Sequence, residues 1–440
     1  MPKTERVRDP IHQFIYLPPE EWRAVDTPVF QRLRQIGQLA MTHIVYPGAT
    51  HTRFEHSIGV RDVARRLCEQ LDLTEDERRP VLQAALLHDV GHGPFSHVSE
   101  QVLDQISGAR NVHEAISVAL IRTDEGLRDA LGADACNAAA DLVEGGRQTV
   151  ARDIVSGATD ADKLDYLLRD TYFTGAKYGL YDIDRVIESA TIIGSPEAQT
   201  FLGFDIGGLW AVEGLLLARH HMWRQVYGHK TRLATDVMVT RALLEGINQE
   251  VLPREAYSVP VEDGEPRPSP EFIEAFLKQT DASVLERLRQ AEEGTPARDL
   301  IDRLLERRLL RQTETVALHR EQAGLDPARR SALQDPEQFT TEDIQNAEAE
   351  IAQEVGLEAH LVAIYIDRWS NPTYRRPGVG GGRRISLRDG SRNTFLDQES
   401  EIFHSEVREE HAFLYLYMPE VSSEDERRAK EVLWRVLKND

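Results

Sequence analysis

Cysteine is nearly absent. Cys68 and Cys136 are the only two in 440 residues, so no disulfide framework holds this chain together. Both lie in helix-like apolar stretches and read as small core residues. Long apolar runs are missing as well. No stretch approaches the roughly 18 apolar residues of a membrane span. The start, Met1-Pro2-Lys3-Thr4-Glu5-Arg6, lacks the apolar region of a signal peptide. A cytoplasmic chain in a reducing compartment is expected. Positive charge is scarce too: 52 Lys and Arg stand against 74 Asp and Glu, a net charge of −22, and only seven of the cations are lysine. Such a field repels nucleic-acid polymers over a Debye length, so nucleic-acid binding is disfavoured. A small anionic substrate is compatible, because a local cationic pocket outweighs a distant field. The preference for Arg fits genomic base composition, with a salt-adapted acidic surface as the alternative.

Hydrophobic residues make up 41 % of the chain, enough to bury a substantial interior, and the length suggests two or three lobes. The pattern is mainly α. Ile58, Val63, Leu67 and Leu71 recur at helical spacing, as do Leu82, Ala85 and Leu86. Residues 160–170 and 209–230 also suit helices, and Gly194-Ser195-Pro196 breaks a small hairpin between Thr191 and Phe204. Composition shifts near Pro253. Residues 253–268 read as an exposed loop, 270–322 as amphipathic helix and 323–343 as polar loop. Strands are expected at His360–Ile366, Arg384–Leu387 and Ala412–Tyr417, with a closing helix near 423–438. Gly378–Gly382 reads as a mobile loop rather than a phosphate cradle, since no helix follows it. The expected organisation is a helical core over 1–250, a helical extension with flexible loops over 251–345, and a smaller mixed α/β lobe over 346–440.

Seven of the 15 histidines fall between His43 and His113. His56 precedes a helix. His88 and Asp89 end the apolar run Ala84-Ala85-Leu86-Leu87, and His92 and His97 follow at once. His113-Glu114 and Asp160-Ala161-Asp162-Lys163 come later. Imidazole and carboxylate together suit Zn, Mn, Fe or similar ions. Adjacent His88 and Asp89 can share one ion if the helix end unwinds, and His56 with one aspartate from 160–162 would complete four ligands. A lone buried His is most simply a hydrogen-bonded core residue. A helix ending in His-Asp with two more histidines close behind is different, because polar groups entering an apolar wall need partners. Helical spacing adds a pocket: Asp162, Tyr166 and either Arg169 or Asp170 share one face, and Arg219, Trp223 and Tyr227 form a second stripe that also fits a core face with a snorkelling Arg.

These segments resemble the HD superfamily, in its deoxynucleoside triphosphate triphosphohydrolase branch. The matching stretches are Asp9–His12, Asp26–Arg34, His51–Val60, His88–His97, His113-Glu114, Asp162–Tyr166 and Tyr227–Lys230, in the family's order over about residues 6–240. The C-terminal third matches only loosely. The pattern begins almost at Met1, so no SAM domain is expected before it. The resemblance implies an HD helical core and one divalent metal ion (Zn, Mn, Fe, Ni or Mg) on His56, His88, Asp89 and Asp162, with a second Mg on substrate phosphates. It implies that His92, His97 and His113 line the catalytic phosphate. Water or hydroxide on the metal attacks the α-phosphorus, releasing a nucleoside and inorganic triphosphate. His97 would position or activate the nucleophile, and His113 would protonate the departing 5′ oxygen. Glu100 stands where animal relatives carry an aspartate that partners the histidine, with a shorter spacing to His113.

By the same resemblance Arg53, Lys163 and Arg219 grip phosphates, and Gln38 and Asp170 read the 3′-hydroxyl. Tyr166 and Tyr227 pack on the sugar, and Tyr227 with Leu39 leaves no room for a 2′-hydroxyl. Trp223 and Tyr172 depart from histidines common in relatives, which obscures base preference. Asp26, Gln31 and Arg34 match residues that read a regulatory guanine nucleotide (GTP or dGTP) between subunits, implying a homo-oligomer, a tetramer or dimer. Taken without the family, Asp26-Thr27-Pro28 is a helix start signal. Two other functions compete: a different HD activity such as a nucleotidase or phosphodiesterase, and a nonenzymatic nucleotide sensor. Gln38, Tyr166, Asp170 and Tyr227 favour a sugar-reading site over the first, and His97 with His113 argues against the second.

Overall fold

The computed structural model describes residues 5–146, 148–194, 199–319, 324–335, 338–370, 384–403 and 410–438. Gly378–Gly382 lies outside these. Helices dominate. Two packing units interleave along the chain, where three consecutive stretches were expected: Met1–Gly228, Leu252–Arg287 and Thr373–Glu406 form the first, and His229–Val251, Leu288–Pro372 and Val407–Asp440 form the second. Among the described residues no helix is long and apolar enough to cross a membrane. Cys68 and Cys136 are free and buried, as core residues should be.

The first unit is built around the helix Arg53–Gln70, capped by Thr52 and buried along most of its length. The helix Glu75–Leu87 packs on it, opened by a reciprocal Thr74/Glu77 capping box. Its apolar face ends at His88, so the polar pair His88-Asp89 arrives where the helix stops. The helix Ala161–Thr174 crosses Arg53–Gln70 closely because position 59 is glycine. A Cβ there would sit 2.1 Å from Asp165 Oδ1. Asp160 caps this helix, accepting the Lys163 N–H at 2.9 Å. An N-terminal hairpin pairs Glu5–Asp9 with Gln13–Leu17. The expected hairpin is present as Ala190–Ile193 against Phe201–Asp205. Ser386–Asp389 joins Phe201–Asp205 in parallel and pairs with Arg392–Phe395, giving a four-stranded sheet.

The second unit holds a three-stranded antiparallel sheet with Glu410–Met418 between Arg311–Ala317 and Ala363–Ser370. The helices Thr341–Val355 and Ser423–Lys438 contribute Ile351, Ala352, Val432 and Leu433 to its core.

Several expectations need correction. The stretch 270–322 is three helices, Pro270–Leu277, Asp281–Arg289 and Pro296–Leu305, and then a strand. The strand alternates weakly because it lies on the sheet edge with only Val316 fully buried. The stretch 323–343 contains the helix Pro327–Gln334 and the start of another at Thr341. Within 253–268 a minimal hairpin pairs Val261–Glu262 with Glu265–Pro266. Residues 209–230 are not one helix. Leu209–Met222 runs into a π turn over Trp223–Tyr227, and a new helix begins at Lys230. The Asp26-Thr27-Pro28 start signal, by contrast, holds: Thr27 is the N-cap and Pro28 the first residue of the short helix Pro28–Gln31, while Asp26 closes Pro19–Val25.

Candidate active site

Four side chains from three elements converge in the first unit. His56 lies on Arg53–Gln70, His88 and Asp89 follow Glu75–Leu87, and Asp162 sits in the first turn of Ala161–Thr174. His56 Nε2 is 3.0 Å from Asp162 Oδ1 and 3.6 Å from Asp89 Oδ2. His88 Nε2 is 3.3 Å from Asp89 Oδ1 and 3.9 Å from Asp162 Oδ1. His56, His88 and Asp162 each offer a donor atom within 4.8 Å of the others.

The donor set fits a divalent cation. His56 donates from Nδ1 to Asp165 Oδ2 at 2.8 Å, and His88 donates from Nδ1 to the Ala85 carbonyl at 2.8 Å. Each anchor leaves the Nε2 lone pair for the cluster, the arrangement a metal-ligating His requires. Both Nε2 atoms are buried without a well-aligned hydrogen bond among the described residues, a costly state unless something else binds them. Burial lowers the basicity of His56, yet Asp162 and Asp165 outweigh it and raise its pKa to about 10. The position is thus built to hold positive charge. Burial would raise Asp89, but Arg53, His88 and His92 hold it well below the usual carboxylate range.

Behind His56 lies a network to which no role was given from the sequence. Asp165 accepts from His56, from His12 Nε2 at 2.6 Å, and from Arg169 Nε and Nη2 at 2.7 and 2.9 Å. Arg169 Nη1 also donates to Asp9 Oδ2 at 2.8 Å. Arg169 is therefore committed to this buried network, and of the two candidates on that helix face only Asp170 turns toward Tyr227. The i, i+4 pair Asp165/Arg169 was a legible signal for the network.

Beside the cluster stand three more histidines. His92 stacks on His113 with ring centroids 4.4 Å apart, and His97 meets His92 edge-on at 5.1 Å. Glu100 accepts from His97 Nδ1 at 2.8 Å and from His113 Nδ1. The shorter Glu100 to His113 spacing does not prevent contact. Burial works against the Glu100 carboxylate, but the two imidazoles hold its pKa well below the ordinary range. Burial likewise opposes charge on His113, and Glu100 raises its pKa. Burial and the neighbouring Arg53 push the His92 pKa far down, which favours its neutral form.

The remaining predicted residues gather on the same unit. Arg53 donates from Nη1 to Asp89 Oδ2 at 2.5 Å and from Nε to Ser96 Oγ at 2.9 Å. Its Nη2 and Arg219 Nη1 are buried without a hydrogen-bond partner among the described residues. Lys163 is held instead by Asp160 at 2.5 Å and the Gly157 carbonyl at 3.1 Å. Tyr166 and Tyr227 meet edge-on at 6.2 Å. Asp170 accepts from Tyr227 Oη at 2.6 Å and from His51 Nε2 at 2.8 Å; His51 had no assigned role. Gln38 is buried with Oε1 unpartnered among the described residues, next to the partly buried Leu39. The π turn widens the backbone just before Tyr227, so the Arg219–Trp223–Tyr227 stripe does not keep plain helical phase. Tyr172 is exposed. Asp26 and Arg34 are exposed, and Gln31 Oε1 accepts from Arg34 Nε at 2.8 Å. The Arg34 guanidinium lies 3.4 Å over the Phe54 ring.

The HD domain family matches residues 53–170, the stretch from Arg53 to Asp170. An uncharacterized protein of Methanocaldococcus jannaschii is 38% identical over 246 residues, 56% of this chain and 51% of its own. The deoxynucleoside triphosphate triphosphohydrolase SAMHD1 homolog of Dictyostelium discoideum is 34% identical over 257 residues, 54% of this chain and 49% of its own. The chain thus spans about half the length of these curated relatives. The crystal structure of a phosphohydrolase from Bacteroides thetaiotaomicron superposes with a TM-score of 0.73, covering 95% of this chain and 100% of that one. At 23% identity the likeness is one of fold.

Proposed function

We propose that this chain, whose residues 53–170 match the HD domain family, is a phosphohydrolase that hydrolyses deoxynucleoside triphosphates to a deoxynucleoside and inorganic triphosphate. One juxtaposition carries the reading. A two-imidazole, two-carboxylate cluster lies in the same unit as two buried guanidinium N–H groups, Arg53 Nη2 and Arg219 Nη1, that have no partner among the described residues. Buried unpaired cationic donors are costly, and phosphate oxygens would satisfy them.

His56, His88, Asp89 and Asp162 are the proposed ligands of the cation. When bound, it offsets phosphate charge and lowers the pKa of a water molecule. Arg53 and Arg219 hold phosphate oxygens, and Lys163 joins them by leaving Asp160. His97 is exposed and positions the attacking water. His113, kept protonated by Glu100, gives its proton to the departing 5′ oxygen, while neutral His92 donates a hydrogen bond to the phosphate. Gln38 and Asp170 meet the 3′-hydroxyl, and Leu39, Tyr166 and Tyr227 close around the sugar. Asp26, Gln31 and Arg34 are proposed to bind a guanine nucleotide where copies of the chain assemble.

The test is to incubate the purified protein with each dNTP and NTP, vary the divalent ion, and identify the products. Inorganic triphosphate with a deoxynucleoside is the expected pair. Release of pyrophosphate, or turnover that survives loss of metal in a His88→Ala/Asp89→Ala variant, would overturn the reading.

A further inference from the structure

The turn between His92 and His97 is held in an expensive conformation. Phe95 and Ser96 both have positive φ, 61° and 54°, with ψ at −122° for Ser96. Left-handed backbone at a non-glycine residue costs on the order of 1–3 kcal/mol and persists only where its surroundings enforce it. The turn directs the chain from buried His92 into the helix His97–Ser107, and so sets where His97 stands.

What enforces it comes from far along the sequence. Asp281, the first residue of Asp281–Arg289, accepts the Phe95 N–H on Oδ1 at 2.7 Å and the Gly37 N–H on Oδ2 at 2.9 Å. A parallel tie runs beside it. Ser96 Oγ donates to the Gly37 carbonyl at 2.7 Å and accepts from Arg53 Nε at 2.9 Å. Arg32 fastens the same stretch, donating to the His92 carbonyl at 2.8 Å and to the Gln279 carbonyl at 3.0 Å. Gly37 leaves room for the carboxylate: a Cβ there would lie 3.1 Å from Asp281 Oδ2. The next residues, Gln38 and Leu39, are those proposed to meet the sugar.

We propose that Asp281 is a positioning residue that ties sugar discrimination to catalysis: one carboxylate fixes both the segment that reads deoxyribose and the turn that aims His97. The inference rests on the functional reading above. Both Asp281 carboxylate oxygens are taken by backbone amides. Asp281 acts through the Gly37 and Phe95 amides, so its loss disturbs both sides at once.

The experiment compares wild type, Asp281→Ala and Asp281→Asn, each loaded with the same metal. Metal content, kcat and KM for one dNTP and its ribonucleotide counterpart, and hydrogen exchange at the Gly37 and Phe95 amides are measured. Asp281→Ala is expected to retain metal. Its kcat should fall on the order of 10²-fold, the scale of an ångström-level misplacement, while the preference for dNTP over NTP shrinks about tenfold. Exchange should quicken by roughly tenfold at both amides, the scale of one lost hydrogen bond. Asp281→Asn offers one acceptor instead of two, so one amide should stay protected and kcat should be intermediate. Unchanged kcat and preference, or a kcat loss with preference intact, would overturn the coupling. If Asp281→Ala does not fold, Asp281→Asn with wild-type protection at both amides would overturn it equally. If the wild type cleaves no dNTP, the functional reading fails, and exchange at the two amides still decides whether Asp281 joins the segments.

Discussion

Glu100 accepts hydrogen bonds from the Nδ1 atoms of both His97 and His113, so one carboxylate sets the protonation of the proposed acid. Against burial, Glu100 raises the His113 pKa. A raised pKa keeps the imidazole charged to higher pH, and acid catalysis is lost as pH rises through that value. Glu100→Gln removes the raising charge. The alkaline limb of the kcat/KM profile should therefore move to lower pH, with a lower plateau. A pH–rate profile checks this, and an unmoved limb would reject the proton-donor role of His113. Arg219 offers a second test. Its unpartnered Nη1 should gain a charge-assisted bond from substrate worth about 1.5–3 kcal/mol, so Arg219→Ala should lower kcat/KM by about 10–100-fold. Steady-state kinetics with a dNTP decides it, and a loss below threefold would remove Arg219 from the phosphate site.

The N-terminal hairpin does more than start the fold. Through His12 and Asp9 it closes the Asp165/Arg169 network that anchors His56 Nδ1. Partners behind a metal-ligating His typically contribute 10–100-fold in affinity. His12→Ala should weaken metal binding by about 10-fold or more while leaving the His56–Asp165 bond in place. Competition with a chelator measures it, and wild-type affinity would show the hairpin to be irrelevant to the centre. Much at this scale was legible in the sequence. The helices Arg53–Gln70, Glu75–Leu87 and Ala161–Thr174 carry apolar residues at helical spacing, and the four donors lie in short motifs at their ends. Arg311–Ala317 was not legible, since an edge strand with one buried side chain carries little alternation. Neither was the π turn at Trp223–Tyr227, which no local pattern announces. Asp281 was hidden for a different reason. Its partners lie 186 and 244 residues away, and its own surroundings read only as the start of an amphipathic helix.

Across the whole molecule the charge of −22 coexists with buried cations at the centre, where Arg53, Arg169 and Arg32 are almost fully enclosed. Buried carboxylates outnumber these cations, yet Arg53 and Arg219 keep N–H groups without a partner among the described residues, so the net charge argues against polymeric nucleic acid and not against a nucleotide. Assembly is the property of the whole chain that the Asp26, Gln31 and Arg34 proposal addresses. Arg34 is exposed and stacked on Phe54, so Arg34→Ala should leave the monomer folded and reduce guanine-nucleotide-stimulated assembly. Sedimentation with and without GTP or dGTP reads this out. An unaffected oligomer would count against the regulatory site.

The parallel pairing of Phe201–Asp205 with Ser386–Asp389 bears on how the protein is made. A ribosome has to pass residue 395 before the strand Arg392–Phe395 can complete the sheet of the first unit. Until then the nascent chain carries an uncovered strand edge, the kind of surface that recruits unwanted pairing. His56, His88, Asp89 and Asp162 all precede Phe201–Asp205 in the chain, so the candidate metal cluster is synthesised while that sheet edge still lacks its partner.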